Sequence, residues 1–210
     1  MTYIILGPQG SGKGTQANLL AKEFNLEHIS VGDILRKEVA SGSEVGKIIQ
    51  GYMTEGKLIP FDLNNQLVKS AIEGKDNLIV DGYPRTREQA KFLFSNFKIS
   101  GLIVIDISEA ESVRRISKRL ICTATNKILI EGNITDDDLR ECKALGGRVI
   151  KRDDDKPDAI RKRLEIYHRE TEPLIDLFKE NNVPIIRVHG EIPINDLFCI
   201  LKEKFRKLFH

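Results

Sequence analysis

A glycine-rich stretch near the start of the chain has the residue types and the spacing of a phosphate-binding loop. The stretch, GPQGSGKGT at 7–15, lies between the apolar run 3–6 and a helical pattern. Glycines lack a Cβ, so successive N–H groups can turn toward an anion at the positive end of the following helix. Lys13 adds a mobile charge for the outer phosphates, and the Thr15 hydroxyl can reach a phosphate oxygen or a metal ion. We therefore predict phosphate binding by Gly10, Ser11, Gly12, Lys13, Gly14 and Thr15.

This stretch departs from the strict G-x-x-x-x-G-K-[ST] pattern at one position. The residue after Lys13 is Gly14, and the hydroxyl comes one place later, at Thr15. A glycine-rich turn without a ligand is the alternative interpretation. The pattern needs Gly7, Gly12 and Lys13 in register at once, which favours phosphate binding over a plain turn.

A carboxylate and a guanidinium follow a second apolar run. Asp81 comes directly after the run 78–80, where a carboxylate beside a phosphate loop meets magnesium, directly or through its waters. A strand-end aspartate can also simply cap the next turn. Pro84 stiffens that turn, so Arg85 presents its charge beside the carboxylate. The neighbours favour a magnesium site over a cap.

Arginines recur at the ends of predicted segments that should face the same cleft. Guanidinium groups grip phosphate oxygens through two parallel hydrogen bonds and stay protonated at any working pH. Any one of them, taken alone, is more often a solvated surface residue. Because these arginines occur together with a phosphate loop, a shared role in phosphate binding is favoured. The arginines are Arg36, Arg85, Arg115, Arg119, Arg152 and Arg163.

The elements that must position these residues are apolar strands that alternate with helices. Strand-like runs occur at 3–6, 28–29, 78–80, 102–105 and 184–188. Such alternation predicts an α/β fold with a five-stranded parallel sheet, covered by helices on both faces, that binds ligands at the carboxyl ends of its strands. The pattern breaks down over 121–155, which is too long for a plain loop and predicts an inserted subdomain. A continuous helical periodicity covers 158–179.

Composition describes an ordinary globular protein. The chain has 33 basic and 31 acidic residues among 210, a net charge of +2, so no nucleic-acid or membrane partner is expected. The first apolar run, 3–6, is too short for a signal or a membrane span. Three cysteines are too few for a secreted disulfide framework. We expect a cytoplasmic monomer.

Taken together, these motifs closely resemble the adenylate kinase family, in its long-lid type, over essentially the whole chain. The blocks that carry the resemblance are GPQGSGKGT at 7–15, SVGDILR at 30–36, GKLI at 56–59, DGYPRT at 81–86, Gln89, RDDD at 152–155 and Tyr167-His168. The resemblance implies a P-loop NTPase fold with two insertions. The implied parts are a core at 1–29, 60–117 and 156–210, a helical arm for the acceptor nucleoside monophosphate (NMP) at 30–59, and a lid at 118–155.

The same resemblance implies magnesium-dependent, reversible phosphoryl transfer from ATP to AMP, giving two ADP. The catalytic residues it implies are Lys13, Arg85, Arg119, Arg152 and Arg163. Beyond the phosphate loop, the implied ATP contacts are Arg115, Arg119, Ile128, Leu129 and Ile192. The implied AMP contacts are Val31, Arg36, Lys57, Leu58, Ile59, Gly82, Tyr83, Pro84, Arg85, Gln89, Arg152 and Arg163. Asp81 would hold magnesium through water.

The lid departs from the family pattern. Many long-lid relatives hold zinc with two Cys-x-x-Cys knuckles, whereas here Cys122 and Cys142 have each lost the second cysteine. Two thiolates do not close a tetrahedral site, so we expect no structural zinc and instead an apolar lid core that includes Leu145. A disulfide between the two cysteines is an alternative that a reducing cytoplasm argues against. Cys199 lies among apolar residues and is expected to be a buried thiol.

The partners of that apolar lid core are expected to be Ile128, Leu129, Ile130 and Val149.

Nucleotide selectivity stays open at two points. Val31 stands where the family commonly has threonine, which removes one hydrogen bond near the acceptor base. The family's donor-base contacts near Gly190 and Ile192 are largely backbone, so GTP or another nucleotide stays open as an alternative to ATP as the donor. The alternatives are therefore a kinase with another donor or acceptor, such as a GTP:AMP phosphotransferase, and a non-catalytic adenylate-binding module. The module is disfavoured, because binding alone needs no cations aimed between two phosphate sites.

Overall fold

The protein, described from a computed structural model over residues 1–125, 127–152 and 154–209, contains two β-sheets and a set of surrounding helices. The strands are β1 Thr2–Leu6, β2 Glu27–Ser30, β3 Leu78–Asp81, β4 Ile99–Asp106, β5 Arg119–Cys122, β6 Ile128–Ile130, β7 Val149–Ile150 and β8 Ile185–His189. The helices are α1 Lys13–Phe24, α2 Val31–Ala40, α3 Glu44–Thr54, α4 Phe61–Ile72, α5 Arg87–Asn96, α6 Glu109–Ser117, α7 Asp136–Ala144, α8 Pro157–Ile166, α9 Leu174–Glu180 and α10 Ile194–Phe209. A π-helical turn, Tyr167–Thr171, joins α8 to the segment before α9.

The larger sheet is parallel and five-stranded, in the order β2-β3-β1-β4-β8, as the sequence predicted. Alternate residues of β1 point to opposite faces, because side chains of a strand alternate. Ile4 and Leu6 pack in a cluster with residues of α2, α4, α5 and α9, and Tyr3 and Ile5 pack with residues of α1 and α10. Both faces are therefore covered by helices, which confirms the predicted P-loop NTPase fold.

The register of the central strands positions the phosphate loop. Asp81 pairs with Ile5 of β1 on one side and with Ser30 of β2 on the other. The carboxyl ends of β1, β2 and β3 therefore meet at one edge, since parallel strands end together. The loop after β1, the carboxylate that ends β3 and the start of α2 lie side by side at that edge.

The segment after β2 forms two packed helices. Helix α2 starts at Val31, because the Ser30 hydroxyl accepts a hydrogen bond from the Asp33 N–H at 3.3 Å. Helix α3 is capped in the same way by Ser43, whose hydroxyl accepts from the Gly46 N–H at 2.8 Å. Local capping thus fixes where both helices begin.

A small antiparallel sheet, β6-β5-β7, and helix α7 form the inserted subdomain. Helix α7 begins with a capping box, in which Thr135 and Asp138 each bond to the other's backbone N–H. Cys122 of β5 and Cys142 of α7 are both buried, and their sulfurs form a disulfide across a Cα–Cα distance of 5.8 Å. The disulfide that the sequence left open as the less favoured alternative is therefore present. The compartment argument overlooked how closely the fold brings these two thiols together.

Two expectations about apolar packing are wrong. Leu145 is 61% exposed, because α7 ends at Ala144 and Leu145 is its C-cap residue. Two of the apolar partners expected around Leu145 differ in their exposure, since Leu129 is buried and Ile128 is exposed. Cys199 is exposed and unpaired.

The exposure of Cys199 follows from the helical period of α10. Leu197, Leu201 and Phe205 recur every four residues and pack against the sheet. Cys199 lies between them in sequence and therefore on another side of the helix.

The helical periodicity predicted over 158–179 is divided in the structure. Helix α8 ends at Ile166, and the wider π turn follows before α9 begins at Leu174. The turn lets the buried Thr171 donate from its hydroxyl to the Arg85 carbonyl at 2.9 Å. In the part of the chain described here, every helix is either too short or too polar to cross a membrane.

Candidate active site

The phosphate loop connects β1 to α1 and ends in a left-handed residue. Gly12 has φ 86° and ψ 7°, and a Cβ built on it would meet no atom within 4 Å. The position thus needs glycine for its backbone conformation and faces open space. Lys13 begins α1, and its Nζ donates to the Pro8 carbonyl across the loop at 3.1 Å. The lysine side chain therefore curls over the loop that would cradle a phosphate.

Other cations lie close to that lysine. Desolvation in the cleft lowers the pKa of Lys13 to about 8, against the attraction of Asp81. The charges of Arg85, Arg119 and Arg163 lower it further. These residues come from three separate parts of the sequence, and the fold brings them to one place. Such a cluster of like charges is stabilised when a polyanion binds among them.

Asp81 lies against the phosphate loop, and one of its carboxylate oxygens is buried without a donor among the described residues. A Cβ built on Gly14 would lie 3.0 Å from Oδ2 of Asp81. The other oxygen, Oδ1, is buried and has no hydrogen-bond donor among the described residues. A buried carboxylate oxygen without a donor beside a phosphate loop suits a hydrated divalent cation. Asp81 and the nearby Thr15 hydroxyl therefore have the donor chemistry that magnesium prefers.

Arg85 is fixed by its own turn and by two neighbouring elements. Its Nε donates to the Gly82 carbonyl at 2.9 Å, and its backbone N–H donates to Oε1 of Gln89 at 2.7 Å. Thr171 holds its carbonyl from the π turn. Burial lowers the pKa of the guanidinium, and the charge of Arg163 adds to that effect. The cation is preorganised, so binding an anion orders little new structure.

Two further arginines are held by carboxylates at the base of the small sheet. Arg119 donates to Asp155, with 2.8 Å between Nε and Oδ2, and a second bond runs from Nη2 to Oδ1. Arg163 of α8 donates from Nη2 to Asp154 at 2.6 Å and lies 3.8 Å from Asp155. The same Nη2 also donates to the Met53 carbonyl of α3 at 3.1 Å. Arg163 thus touches segments from both sides of the cleft.

Arg152 and Arg36 each keep a buried guanidinium nitrogen that has no acceptor among the described residues. Burial lowers the pKa of Arg152 to about 10, and the charges of Arg36 and Arg119 contribute. The buried Nε atoms of Arg152 and Arg36 have no acceptor among the described residues. Arg36 has one partner, Asp33, at 2.5 Å. Asp153, which belongs to the block that resembles the family, lies outside the described residues.

The residues expected around the acceptor base line one side of this cleft. Val31 and Tyr83 are buried, and the Tyr83 hydroxyl donates to Asn65 at 2.6 Å. Gln89 is buried, and since its Oε1 accepts from Arg85, its amide NH₂ is the end left to contact a base. The remaining members of the set, Leu58, Ile59, Gly82 and Pro84, belong to the two loops beside them.

Lys57 does not direct its side chain into the site. It pairs with the neighbouring Glu55, and both side chains are largely exposed. Its N–H is also engaged, since it donates to the Tyr52 carbonyl at 2.9 Å. Any contact of Lys57 with a nucleotide would therefore use its carbonyl.

On the donor side, Arg115 connects two loops. Its guanidinium donates to the Gly190 carbonyl at 2.8 Å and to the Gly10 carbonyl at 3.4 Å, and Glu111 holds its Nε at 2.6 Å. Ile192 packs nearby at the edge of the core.

The two lid residues expected at the donor differ in exposure. Ile128 is exposed and its side chain is free to cover a base, whereas Leu129 is buried inside the small sheet. A contact from Leu129 would use its backbone.

Sequence reasoning missed Gln9 as a connecting residue. Its Nε2 donates to the Ile160 carbonyl of α8, and its backbone carbonyl accepts from the Ser112 hydroxyl of α6 at 2.5 Å. Gln9 therefore joins the phosphate loop to both helices that flank the small sheet. Position 9 is a variable position of the loop pattern, so its residue type alone carried no signal.

The fold and this site define a P-loop NTPase: a glycine-rich loop between the first strand and helix, with a carboxylate at the end of the neighbouring strand. A sequence profile described as Adenylate kinase matches residues 5–183. An adenylate kinase of Petrotoga mobilis is 40% identical over 213 residues, covering 99% of this chain and 97% of the relative. Adenylate kinases of Methanocella arvoryzae and Methanothrix thermoacetophila are 38% and 39% identical, covering 99% and 94% of this chain and 100% and 95% of theirs. The chain belongs to the adenylate kinase family.

Proposed function

We propose that this protein transfers a phosphoryl group reversibly from ATP to AMP, with magnesium, and forms two ADP. One observation carries the proposal: Lys13 of the phosphate loop is buried in a cleft where burial lowers its pKa to about 8, and the charges of Arg85, Arg119 and Arg163 act in the same direction. Two polyanions repel each other, so joining them needs this density of fixed positive charge. The relatives named above are adenylate kinases, which supports the same activity.

The mechanism needs positioning and charge rather than a proton-abstracting base. An AMP phosphate oxygen is already ionised at neutral pH, so it can attack without losing a proton. Arg36 and Arg85 hold the acceptor phosphate, and Lys13 holds the outer phosphates of the donor. Arg119, Arg152 and Arg163 then face the equatorial oxygens of the group in transit, where they stabilise the transition state. In this account Asp154 and Asp155 keep those arginines extended.

Asp81, through water, and Thr15 are the residues that would hold magnesium. The ion, when bound, neutralises charge on the donor phosphates. Both residues lie beside the phosphate loop, and the unpaired Oδ1 of Asp81 supports this assignment. Among the described residues, no three His, Cys, Asp or Glu side chains are grouped as metal ligands.

We also propose that the chain works as three parts. The core is 1–29, 60–117 and 156–210, the NMP-binding arm is 30–59, and the lid is 118–155. Helices α2 and α3 fall inside the proposed arm, and the small antiparallel sheet falls inside the proposed lid. Closing the arm and the lid excludes water, which keeps transfer to AMP ahead of ATP hydrolysis. Adenylate kinase is itself one of the standard examples of lid closure.

The alternatives have less support. A GTP:AMP phosphotransferase would use the same phosphate contacts, so donor preference rests on residues near Gly190 and Ile192. A non-catalytic adenylate-binding module leaves the cations between the two sites without a purpose. The cytoplasmic location, the monomeric state and the absence of nucleic-acid or membrane partners stay predictions from the sequence.

A coupled assay tests the proposal directly. Wild-type protein with magnesium, AMP and either ATP or GTP should form ADP fastest with ATP, and no other nucleoside monophosphate should match AMP. Lys13→Ala should abolish turnover while circular dichroism shows the fold retained. Binding of both nucleotides without ADP formation would replace this proposal with the binding-module alternative.

A further inference from the structure

The end of α3 makes an unusual contact with helix α8. Helix α3 ends at Thr54, and Gly56, just after the C-cap residue, has a left-handed φ of 67°. Gly56 and Lys57 donate their N–H groups to the Met53 and Tyr52 carbonyls. These two bonds form a Schellman motif, which is an ordinary way to end a helix with glycine. The motif explains the backbone conformation of Gly56. It does not explain what surrounds the residue.

Gly56 lies directly on the backbone of α8. A Cβ built on Gly56 would lie 2.7 Å from the Ala159 carbonyl oxygen, 3.0 Å from its Cα and 3.2 Å from its carbonyl carbon. All three are main-chain atoms of a helix, so they have no side-chain rotation by which to move away. Ala159 is itself buried and small. The arm and α8 therefore meet backbone to backbone, at a distance that only glycine allows.

Gly42, in the turn between α2 and α3 of the same arm, separates the need for a left-handed backbone from the need for space. Its φ is 71°, close to that of Gly56, and a Cβ built on it would meet nothing within 4 Å. Both glycines thus need a left-handed backbone, and of the two only Gly56 lies against the main chain of α8. This pair gives a matched control within one arm.

The contact between Gly56 and Ala159 lies on the part of α8 that also contacts the arm, Asp154 and the phosphate loop. One turn beyond Ala159, Arg163 donates to the Met53 carbonyl at 3.1 Å, the same carbonyl that accepts from Gly56. Arg163 also donates to Asp154 at 2.6 Å, and the Ile160 carbonyl accepts from Gln9 of the phosphate loop. The separation between arm and α8 therefore fixes how far the Arg163 guanidinium can reach into the cleft.

We infer that Gly56 is a positioning residue: it seats the closed arm on Ala159 and thereby sets the place of Arg163 over the reacting phosphates. This inference rests on the proposed function and deepens it. A bound acceptor that holds the arm down completes the Arg163 site, so the catalytic arginine is in place only when the acceptor is. A side chain at 56 would hold the arm away from α8, and even a 1 Å misplacement of reacting groups costs about 100-fold in rate.

The test compares Gly56→Ala with Gly42→Ala. Both substitutions strain a left-handed backbone and should lower the thermal midpoint, and Gly56→Ala should lower it more because the arm also loses its contact with α8. Gly56→Ala alone should lower kcat by about 10- to 100-fold, raise KM for AMP and increase ATP hydrolysis relative to transfer. The affinity for ATP measured without AMP should match wild type, since the phosphate loop is not altered.

A second pair keeps the test valid if alanine destabilises the arm. Asparagine tolerates the left-handed conformation, so Gly56→Asn and Gly42→Asn should both fold. Gly56→Asn should still lose kcat, and Gly42→Asn should keep it. Equal kinetics for the Gly56 and Gly42 variants would overturn the inference while leaving the proposed function intact. Wild-type protein that forms no ADP would instead overturn the proposed function.

Discussion

The core sheet and the small sheet of the lid are built on different physical principles. Every residue of β1 is buried, and its two faces pack against separate helix layers. In the lid, few side chains are buried, and these include Cys122, Cys142 and Leu129. Other contacts between segments of the small sheet and α7 include the disulfide and exposed ion pairs, such as Lys127 with Glu141 at 2.7 Å. The core is held by apolar burial, whereas the lid depends on one covalent link, since exposed ion pairs contribute little.

The comparison extends to the charged groups in the cleft. Arg85, which belongs to the core, is fixed by backbone hydrogen bonds from its own turn. Arg119 at the lid boundary and Arg163 on α8 are held by Asp155 and Asp154. Arg85 is therefore held by its own turn and by Gln89, whereas the directions of Arg119 and Arg163 are set by carboxylates. This difference suits the opening and closing proposed above.

The largest expected effect comes from removing the Arg85 guanidinium. Arg85→Ala should lower kcat by about 10³-fold, because losing the fixed cation that holds the acceptor phosphate in line should cost about as much as losing an arginine finger in related phosphoryl transfers. The measurement is the steady-state rate of ADP formation. Arg140→Ala is the control, since that side chain is 76% exposed on α7. An unchanged rate for Arg85→Ala would remove this residue from the site.

The second prediction concerns the lid. Cys142→Ser should destabilise the lid by about 3 kcal/mol, because the disulfide closes a loop with a sequence separation of 20 in the unfolded chain. Hydrogen exchange should show faster opening of β5, β6 and α7, with the core strands unchanged. Cys199→Ser, at an exposed free thiol, is the matched control. Equal protection of lid amides in both variants would mean that the link does not hold the lid.

The third prediction concerns the energetic cost of Lys13. A folded-state pKa of about 8, against 10.5 for an ordinary lysine, means that burial penalises the charged form. Lys13→Met should therefore stabilise the free protein at pH 7 by about 3 kcal/mol. The gain should fade as pH rises from about 8 to 10.5, since the folded protein then carries a neutral lysine and the penalty disappears. Chemical unfolding at several pH values measures it, and a gain that does not vary with pH would contradict the electrostatic cause.

The smallest effect is a pH dependence of ATP affinity. ATP binds the protonated lysine, so affinity should fall above pH 8 and be about tenfold weaker at pH 9 than at pH 7. Lys13→Arg keeps its charge across this range and should show a flat profile. Calorimetric titration with ATP measures both. A parallel decline in the two proteins would assign the pH dependence to another group.

Sequence predicted the core well because the core obeys local patterns. The apolar runs, the glycine loop and Asp81 follow rules that act over a few residues, and the fold placed them at one edge as expected.

The rest depended on contacts between distant segments. The Cys122–Cys142 bond, the exposure of Leu145 and the link from Gln9 to Ile160 each depend on how separate elements pack. No local pattern encodes such packing. The π turn at 167–171 likewise follows from a tertiary bond, from Thr171 to the Arg85 carbonyl.

The central claim is that donor and acceptor phosphates meet among fixed cations supplied by the core, α8 and the lid. A crystal structure with a molecule that joins adenosine groups through a chain of phosphates tests it most directly. The account predicts Lys13 on the donor phosphates, Arg36 and Arg85 on the acceptor phosphate, and Arg119, Arg152 and Arg163 around the bridging phosphates. A complex in which those arginines keep only their present carboxylate and carbonyl partners, and leave the phosphates in solvent, would contradict it.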